Sequence, residues 1–222
     1  MTVRESRDGS RWQATGATLV AVALCALLPP RYTIGPVWVA PAIVLVILIP
    51  LLVMHVASAA RPAQRAASIS LIAVVNFFNA ASVVLLVYYI LTSSRHETGV
   101  QLLMAGSQIW LTNILVFALW FWELDGGGPL ARADAASEGD NAEADFLFPQ
   151  MMADPARSPW VPAGWKPKFA DYLYLGFTNA TAFSPTDVMP LSPMAKMLML
   201  VESLISLVTL ALILARSVNI LT

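Results

Sequence analysis

Charge is scarce in this sequence: only 12% of its 222 residues are Asp, Glu, Lys or Arg. A soluble globular domain carries about 25%, so the chain has too little charge to wet a whole surface. Basic excess is also missing, with 13 Lys and Arg against 14 Asp and Glu, and this removes the electrostatic footprint of a nucleic-acid binder. Cysteine occurs once, at Cys25, so an internal disulfide is excluded. The two histidines, His55 and His96, lie far apart, and no Cys/His/Asp spacing suits zinc or haem. There is no nucleophile–base pair and no H-E-x-x-H, and the glycines Gly126–Gly128 lack the lysine of a phosphate loop. No enzyme, cofactor or metal centre is expected. Internal repeats of the kind that mark many transporters are absent too.

Apolar residues are abundant. They make up 58% of the chain, and mean hydropathy is +0.68. Crossing a hydrocarbon core of about 30 Å takes about 20 apolar residues of helix. Five stretches meet or approach that length: Trp12–Leu28, Pro36–Val56, Ser68–Leu91, Val100–Trp122 and Ala195–Ala215. The first, preceded by Arg4, Arg7 and Arg11, has a signal-peptide look, but no A-x-A-like cleavage site follows it, and a retained span is expected. Pro29-Pro30 stop it. In the second stretch Pro41 lies near the helix start, whereas Pro50 lies inside and should kink the axis. Asn76, Asn79 and Ser82 of the third would be costly against lipid, so hydrogen bonds between helices are expected there; a mid-bilayer substrate site is the sharper alternative.

Residues 123–168 read as an acidic linker. Gly126–Pro129 break the fourth helix, and Asp134, Glu138, Asp140, Glu143 and Asp145 follow with no basic residue after Arg132 until the next segment nears. Such a run predicts a solvated, flexible connection. Phe146–Phe148, Trp160 and Trp165, with Lys166 and Lys168, mark a return to the membrane interface.

The segment 169–222 carries the chemistry. Phe169–Thr181 is apolar and aromatic but spans about 20 Å as helix, too short to cross. Thr178, Asn179, Thr181, Ser184, Thr186 and Asp187 then accumulate around Pro185 and Pro190. Polar irregular backbone survives at membrane depth only inside protein or along a watery cavity. A re-entrant half-helix and loop, followed by a full span, accounts for this pattern; a helix lying flat on the surface is the alternative. In the last span Glu202, Ser206, Thr209, Ile213 and Arg216 share one helical face. An acid within a span faces the bundle interior or a water-filled path. Glu202 therefore either lines a pathway or hydrogen-bonds a neighbouring helix, with Gln108 or Thr112 of the fourth span as the candidate partners.

A short half-helix, a Thr-rich loop, Asp187-Val188-Met189-Pro190 and a long inner helix together resemble a potassium-channel pore module. The resemblance covers about the last 55 residues, or about 120 with the fourth span as the outer helix. It implies a tetrameric homo-oligomer around a pore for ions. It departs at the filter, where T-V-G-Y-G should stand and Ala182-Phe183-Ser184-Pro185-Thr186 stands instead. Aligned filter carbonyls need glycine dihedrals, and Pro185 fixes φ and removes an N–H, so potassium selectivity is not expected. The stretches Asp171–Asp187 and Ala215–Leu221 also resemble the C-terminal signature DYLYLxFTNATAFSPTD…ARxVNIL of an uncharacterised family of bacterial polytopic membrane proteins. That resemblance implies a bacterial plasma membrane and supplies no activity.

Arginines in short loops set orientation. Five spans with an internal N-terminus place Arg4, Arg7, Arg11, Arg61 and Arg65 inside and Arg31 and Arg95 outside, which puts the re-entrant loop on the cytoplasmic side. A channel-like loop should enter from outside. That requires either an external N-terminus or a first segment that does not cross.

The expectation is an all-α polytopic membrane helix bundle of about five transmembrane helices plus one re-entrant half-helix and loop. Residues 1–99 form a three-helix region, 100–122 an outer helix, 123–168 the linker, and 169–222 the pore-like loop and inner helix. The expected function is a channel-like conduit for ions or small polar solutes. Its pathway candidates are Thr178, Asn179, Thr181, Ser184, Thr186, Asp187, Glu202, Ser206 and Thr209. One half-helix and one inner helix enclose no pore, so a homo-oligomer is expected in the bilayer. A non-conducting scaffold or sensor is the alternative, and a small-molecule transporter a third reading.

Overall fold

The computed structural model describes residues 3–56, 61–92, 99–138, 143–153, 158, 160–162, 164–181 and 187–221. Seven α-helices account for most of them: α1 (Val3–Ala26), α2 (Val39–Val56), α3 (Arg61–Thr92), α4 (Gly99–Leu124), α5 (Pro129–Glu138), α6 (Phe169–Thr181) and α7 (Pro193–Leu221). Two short strands, β1 (Phe146–Leu147) and β2 (Met189–Pro190), pair antiparallel. Among the described residues the fold is all-α apart from that one pairing.

Among the described residues three helical stretches are long and apolar enough to cross a membrane: Pro62–Thr92, Val100–Gly127 and Pro193–Ala215. This is the make-up of a membrane protein. The first two expected stretches appear as shorter apolar helices, Trp12–Ala26 and Val39–Leu51. In α1 the helix continues back through charged residues to Val3 and stops ahead of Pro29-Pro30, where a 3-10 turn, Pro30–Tyr32, follows. Helix α2 runs through Pro50.

Helix α4 is the axis of the bundle, packed against α1, α3, α6 and α7. Its two ends lie in separate apolar clusters. One gathers Val116, Phe117, Phe121 and Trp122 with Ala17 and Ala21 of α1, Leu71 and Val75 of α3, and Tyr172 and Leu175 of α6. The other gathers Leu102, Ala105 and Ile109 with Val83 and Leu86 of α3 and Leu28 and Tyr32. Between them, on both α3 and α4, stands a buried asparagine: Asn79 and Asn113.

Small residues let the C-terminal helices sit close. A Cβ on Gly176 of α6 would lie 3.1 Å from the Ile114 carbonyl oxygen of α4, and one on Gly106 of α4 would overlap Ile213 of α7. Serine and proline define the start of α7: Ser192 Oγ accepts the Ala195 N–H at 3.2 Å, with Pro193 as the first helical residue. At the start of α6, Asp171 Oδ2 accepts the Lys168 N–H at 2.7 Å, the carboxylate half of a capping box.

The segment 123–168, expected as a flexible connection, is in part built into the fold. Asp125, fully buried, terminates α4 and collects donors from distant chain: Oδ1 accepts the N–H of Asp145 at 2.7 Å and of Phe146 at 3.2 Å, and Oδ2 accepts the Tyr172 hydroxyl. Asp145 reciprocates, its Oδ2 accepting the Gly126 N–H at 3.1 Å. Arg132 of α5 donates to the carbonyls of Asp125 and Trp122 and lies over the Tyr172 ring. The turn at Gly126–Gly128 runs entirely at positive φ, and a Cβ on Gly128 would come within 2.8 Å of the Glu123 carbonyl oxygen, so this run does more than break a helix. Glu143 is exposed, and the side chains of Asp134 and Glu138 and the whole of residue 140 lie outside the described residues.

Candidate functional site

Helix α6 runs antiparallel along α4. Tyr172, near its start, reaches Asp125 at the end of α4, and Phe177, near its finish, stacks edge-on against Trp110 with ring centroids 6.1 Å apart. Its last turn therefore ends beside the middle of α4, at the level of Asn113. The chain then returns to the end where it began, because β2 pairs with β1 and the Leu191 N–H donates to the Asp145 carbonyl at 2.8 Å. Helix α7 starts from that same end and passes Asn113 at Glu202 and Gly106 at Ile213.

Where the tip of α6, the middle of α4 and the middle of α7 meet, polar side chains line up in two hydrogen-bonded groups, Asn79–Asn113–Ser206 and Asn179–Glu202, joined through the Glu202 backbone carbonyl. Asn79 Nδ2 of α3 donates to Asn113 Oδ1 at 3.4 Å. Asn113 Nδ2 in turn donates to Ser206 Oγ at 3.0 Å and to the Glu202 carbonyl at 3.4 Å. Asn179 Nδ2 of α6 donates to Glu202 Oε2 at 2.7 Å and to the Met199 carbonyl at 2.9 Å. The Ser203 hydroxyl closes the α6–α7 contact by donating to the Asn179 carbonyl at 3.3 Å. Glu202 is fully buried, and its Oε1 has no hydrogen-bond partner among the described residues.

Of the nine pathway candidates the structure joins three: Asn179, Glu202 and Ser206. Thr209 lies on the same buried face, but its hydroxyl donates to its own helix at the Ile205 carbonyl. Thr178 and Thr181 likewise bond within α6. Asp187 is exposed, beside β2 and away from the row. Ser184 and Thr186 lie outside the described residues, as does the side chain of Arg216. The Glu202 carboxylate is bonded by Asn179 of α6, not by Gln108 or Thr112 of α4, and Asn113 reaches only its backbone carbonyl; Thr112 donates instead to the Gln108 carbonyl of its own helix. The physical reason is register, since Asn113 is the residue that α4 turns toward α7 at this depth. Asn113 was legible by the argument already applied to Asn79, an amide inside an apolar helix.

The second buried polar centre, at Asp125, holds chain segments together. Burial pushes the Tyr172 hydroxyl well above its ordinary pKa, with the Arg132 charge opposing, so Tyr172 remains a donor to Asp125. This centre is not legible in local sequence because its donors are backbone N–H groups 20 and 21 residues away and a hydroxyl 47 residues away. No group of three or more metal-ligating side chains occurs among the described residues. Comparison with protein-family models, with curated proteins and with solved structures returns no match for this chain.

Proposed function

We propose that the chain is a multi-pass membrane protein in which α1, α2, α3, α4 and α7 span the bilayer and α6 is a re-entrant half-helix, together serving as a conduit for ions or small polar solutes. One observation carries this reading. A 13-residue helix ends in mid-bundle against a row of polar side chains, Asn79–Asn113–Ser206–Glu202–Asn179, at a depth where polar groups are costly. The row faces the interior of one protomer, while the opposite face of α7, with Met197, Leu200, Leu204 and Leu207, is apolar and exposed. One half-helix and one inner helix enclose no pore, so the conduit reading keeps the homo-oligomer, a tetramer if the channel resemblance extends to assembly, packed through the apolar face of α7. The departures at Ala182–Thr186 argue against potassium selectivity.

The same burial favours a second reading, a non-conducting scaffold or sensor, because every described member of the row is engaged in a hydrogen bond between or within helices. Tracer flux through purified protein in liposomes separates the two. Glu202→Gln keeps shape and hydrogen-bonding capacity but removes the negative charge. The conduit reading expects altered flux or ion preference with the fold and oligomer mass intact. Unchanged flux and preference in a stable variant, or no flux in the parent protein, would leave the scaffold reading standing.

A further inference from the structure

A cavity of about 460 Å³ opens at the Asp125 end of the bundle, among α1, α2, α3, α4 and the start of α5. It is separate from the polar row. Its lining changes character with depth. The inner part is mainly apolar, formed by Leu48, Leu71, Ile72 and Leu119, and its one hydroxyl, Thr18, donates within its own helix to the Ala14 carbonyl at 3.0 Å. Toward the end of the bundle stand Thr15, Ser68, Arg65 and Glu123, with the buried Trp122 beside them and the exposed Trp12, tryptophan being the residue type that favours the membrane–water boundary. Along α3 the lining runs from Gln64 to Ile72, a depth of about 12 Å.

An apolar floor under a polar, aromatic mouth matches neither a polar solute nor a bare hydrocarbon. It matches a molecule with one apolar tail and one polar head. The volume lies at the lower end of the range of about 300–1,000 Å³ for ligand pockets, room for one chain and not for a two-chain phospholipid. Of the two charged residues in the lining, Glu123 is buried and already engaged, whereas Arg65 is exposed. The charge a head group meets on arrival is thus a guanidinium, whose planar fork suits carboxylate or phosphate. We propose that this cavity binds a single-chain lipid with an anionic head, the tail between α2, α3 and α4 and the head at Arg65.

The test uses the full-length protein in phosphatidylcholine vesicles containing a low mole fraction of a palmitate analogue with a photoactivatable diazirine in its chain, and in parallel the corresponding alcohol. Adducts are located by mass spectrometry. Labelling of the α1 and α3 lining residues should saturate, be displaced by unlabelled palmitate and favour the acid over the alcohol. Labelling of Leu204 on the outer face of α7 should rise in proportion to the probe, reporting bulk lipid. Arg65→Gln, at an exposed position, should cut the acid-over-alcohol preference by about fivefold, the factor for one basic residue near a surface. Leu71→Trp should reduce cavity labelling by filling the floor. Cavity labelling that rises linearly like that of Leu204, or an equal response to acid and alcohol in the parent protein, overturns the proposal. So does an acid preference that survives Arg65→Gln.

Discussion

Replacing Asn113 by alanine removes the residue through which α3, α4 and α7 are joined. Its amide donates to Ser206 Oγ at 3.0 Å and to the Glu202 carbonyl at 3.4 Å, and it accepts from Asn79 at 3.4 Å. Hydrogen bonds between membrane helices average about 0.6 kcal/mol each, so three are worth about 2 kcal/mol. Two of them are long and should contribute less. Against that, the Asn79 amide loses its acceptor on α4 in a buried setting, a penalty of about 1–3 kcal/mol where no water replaces it. The balance predicts a destabilisation of about 2 kcal/mol. Equilibrium unfolding in mixed micelles, titrated with a denaturing detergent, measures it. A double-mutant cycle with Asn79→Ala should return a coupling of about 0.6 kcal/mol, the value of a single interhelical bond. A loss below about 0.5 kcal/mol for Asn113→Ala, the range of an indifferent surface substitution, would refute the view that this row holds the helices together.

Three further outcomes follow from the geometry. Asp125→Ala leaves the Asp145 and Phe146 N–H groups and the Tyr172 hydroxyl without their acceptor; it should cost about 3–5 kcal/mol and speed proteolysis at residues 143–153, read by mass spectrometry. Gly176→Leu cannot be seated 3.1 Å from the α4 backbone; it should part α6 from α4, detected as lost cross-linking between cysteines placed at Trp110 and Phe177. A cysteine at the exposed Met152 reports orientation: with five spans and an internal N-terminus it reacts with an impermeant maleimide only after the cells are opened, and reaction from outside refutes that topology.

Much of the helical plan is legible in local pattern. Phe169–Thr181 is bounded by its own composition and becomes α6 with those limits. The shared face of Glu202, Ser206, Thr209 and Ile213 follows from helical period alone, and all four are buried. What period does not carry is the identity of the facing residue. Asn179 and Glu202 are 23 positions apart, and only the return of the chain through β2 makes them neighbours. The Asp125 centre is hidden for a related reason: an acid at the end of an apolar helix looks like a boundary marker, and its acceptor role depends on backbone donors from Asp145 and Phe146. Asp145 itself sits in an acidic run whose composition speaks for solvent, yet its side chain is committed to Gly126.

The polar row also bears on how the chain enters the bilayer. Helix α7 must insert with an acid at its middle, and a charge there costs about 2.5–3.5 kcal/mol on insertion scales. Within Pro193–Ala215 eleven residues are Leu, Ile or Val, and at about 0.3–0.6 kcal/mol each near the helix centre they supply about 3–7 kcal/mol, enough to balance that cost. The apolar residues of α7 thus offset its acid on insertion, and its outward stripe of Met197, Leu200, Leu204 and Leu207 can face lipid from the start. Because α3, α4 and α6 precede α7 in the chain, Asn79, Asn113 and Asn179 are already present when Glu202 arrives. The order of synthesis thus lets the most expensive side chain be the last to need a berth.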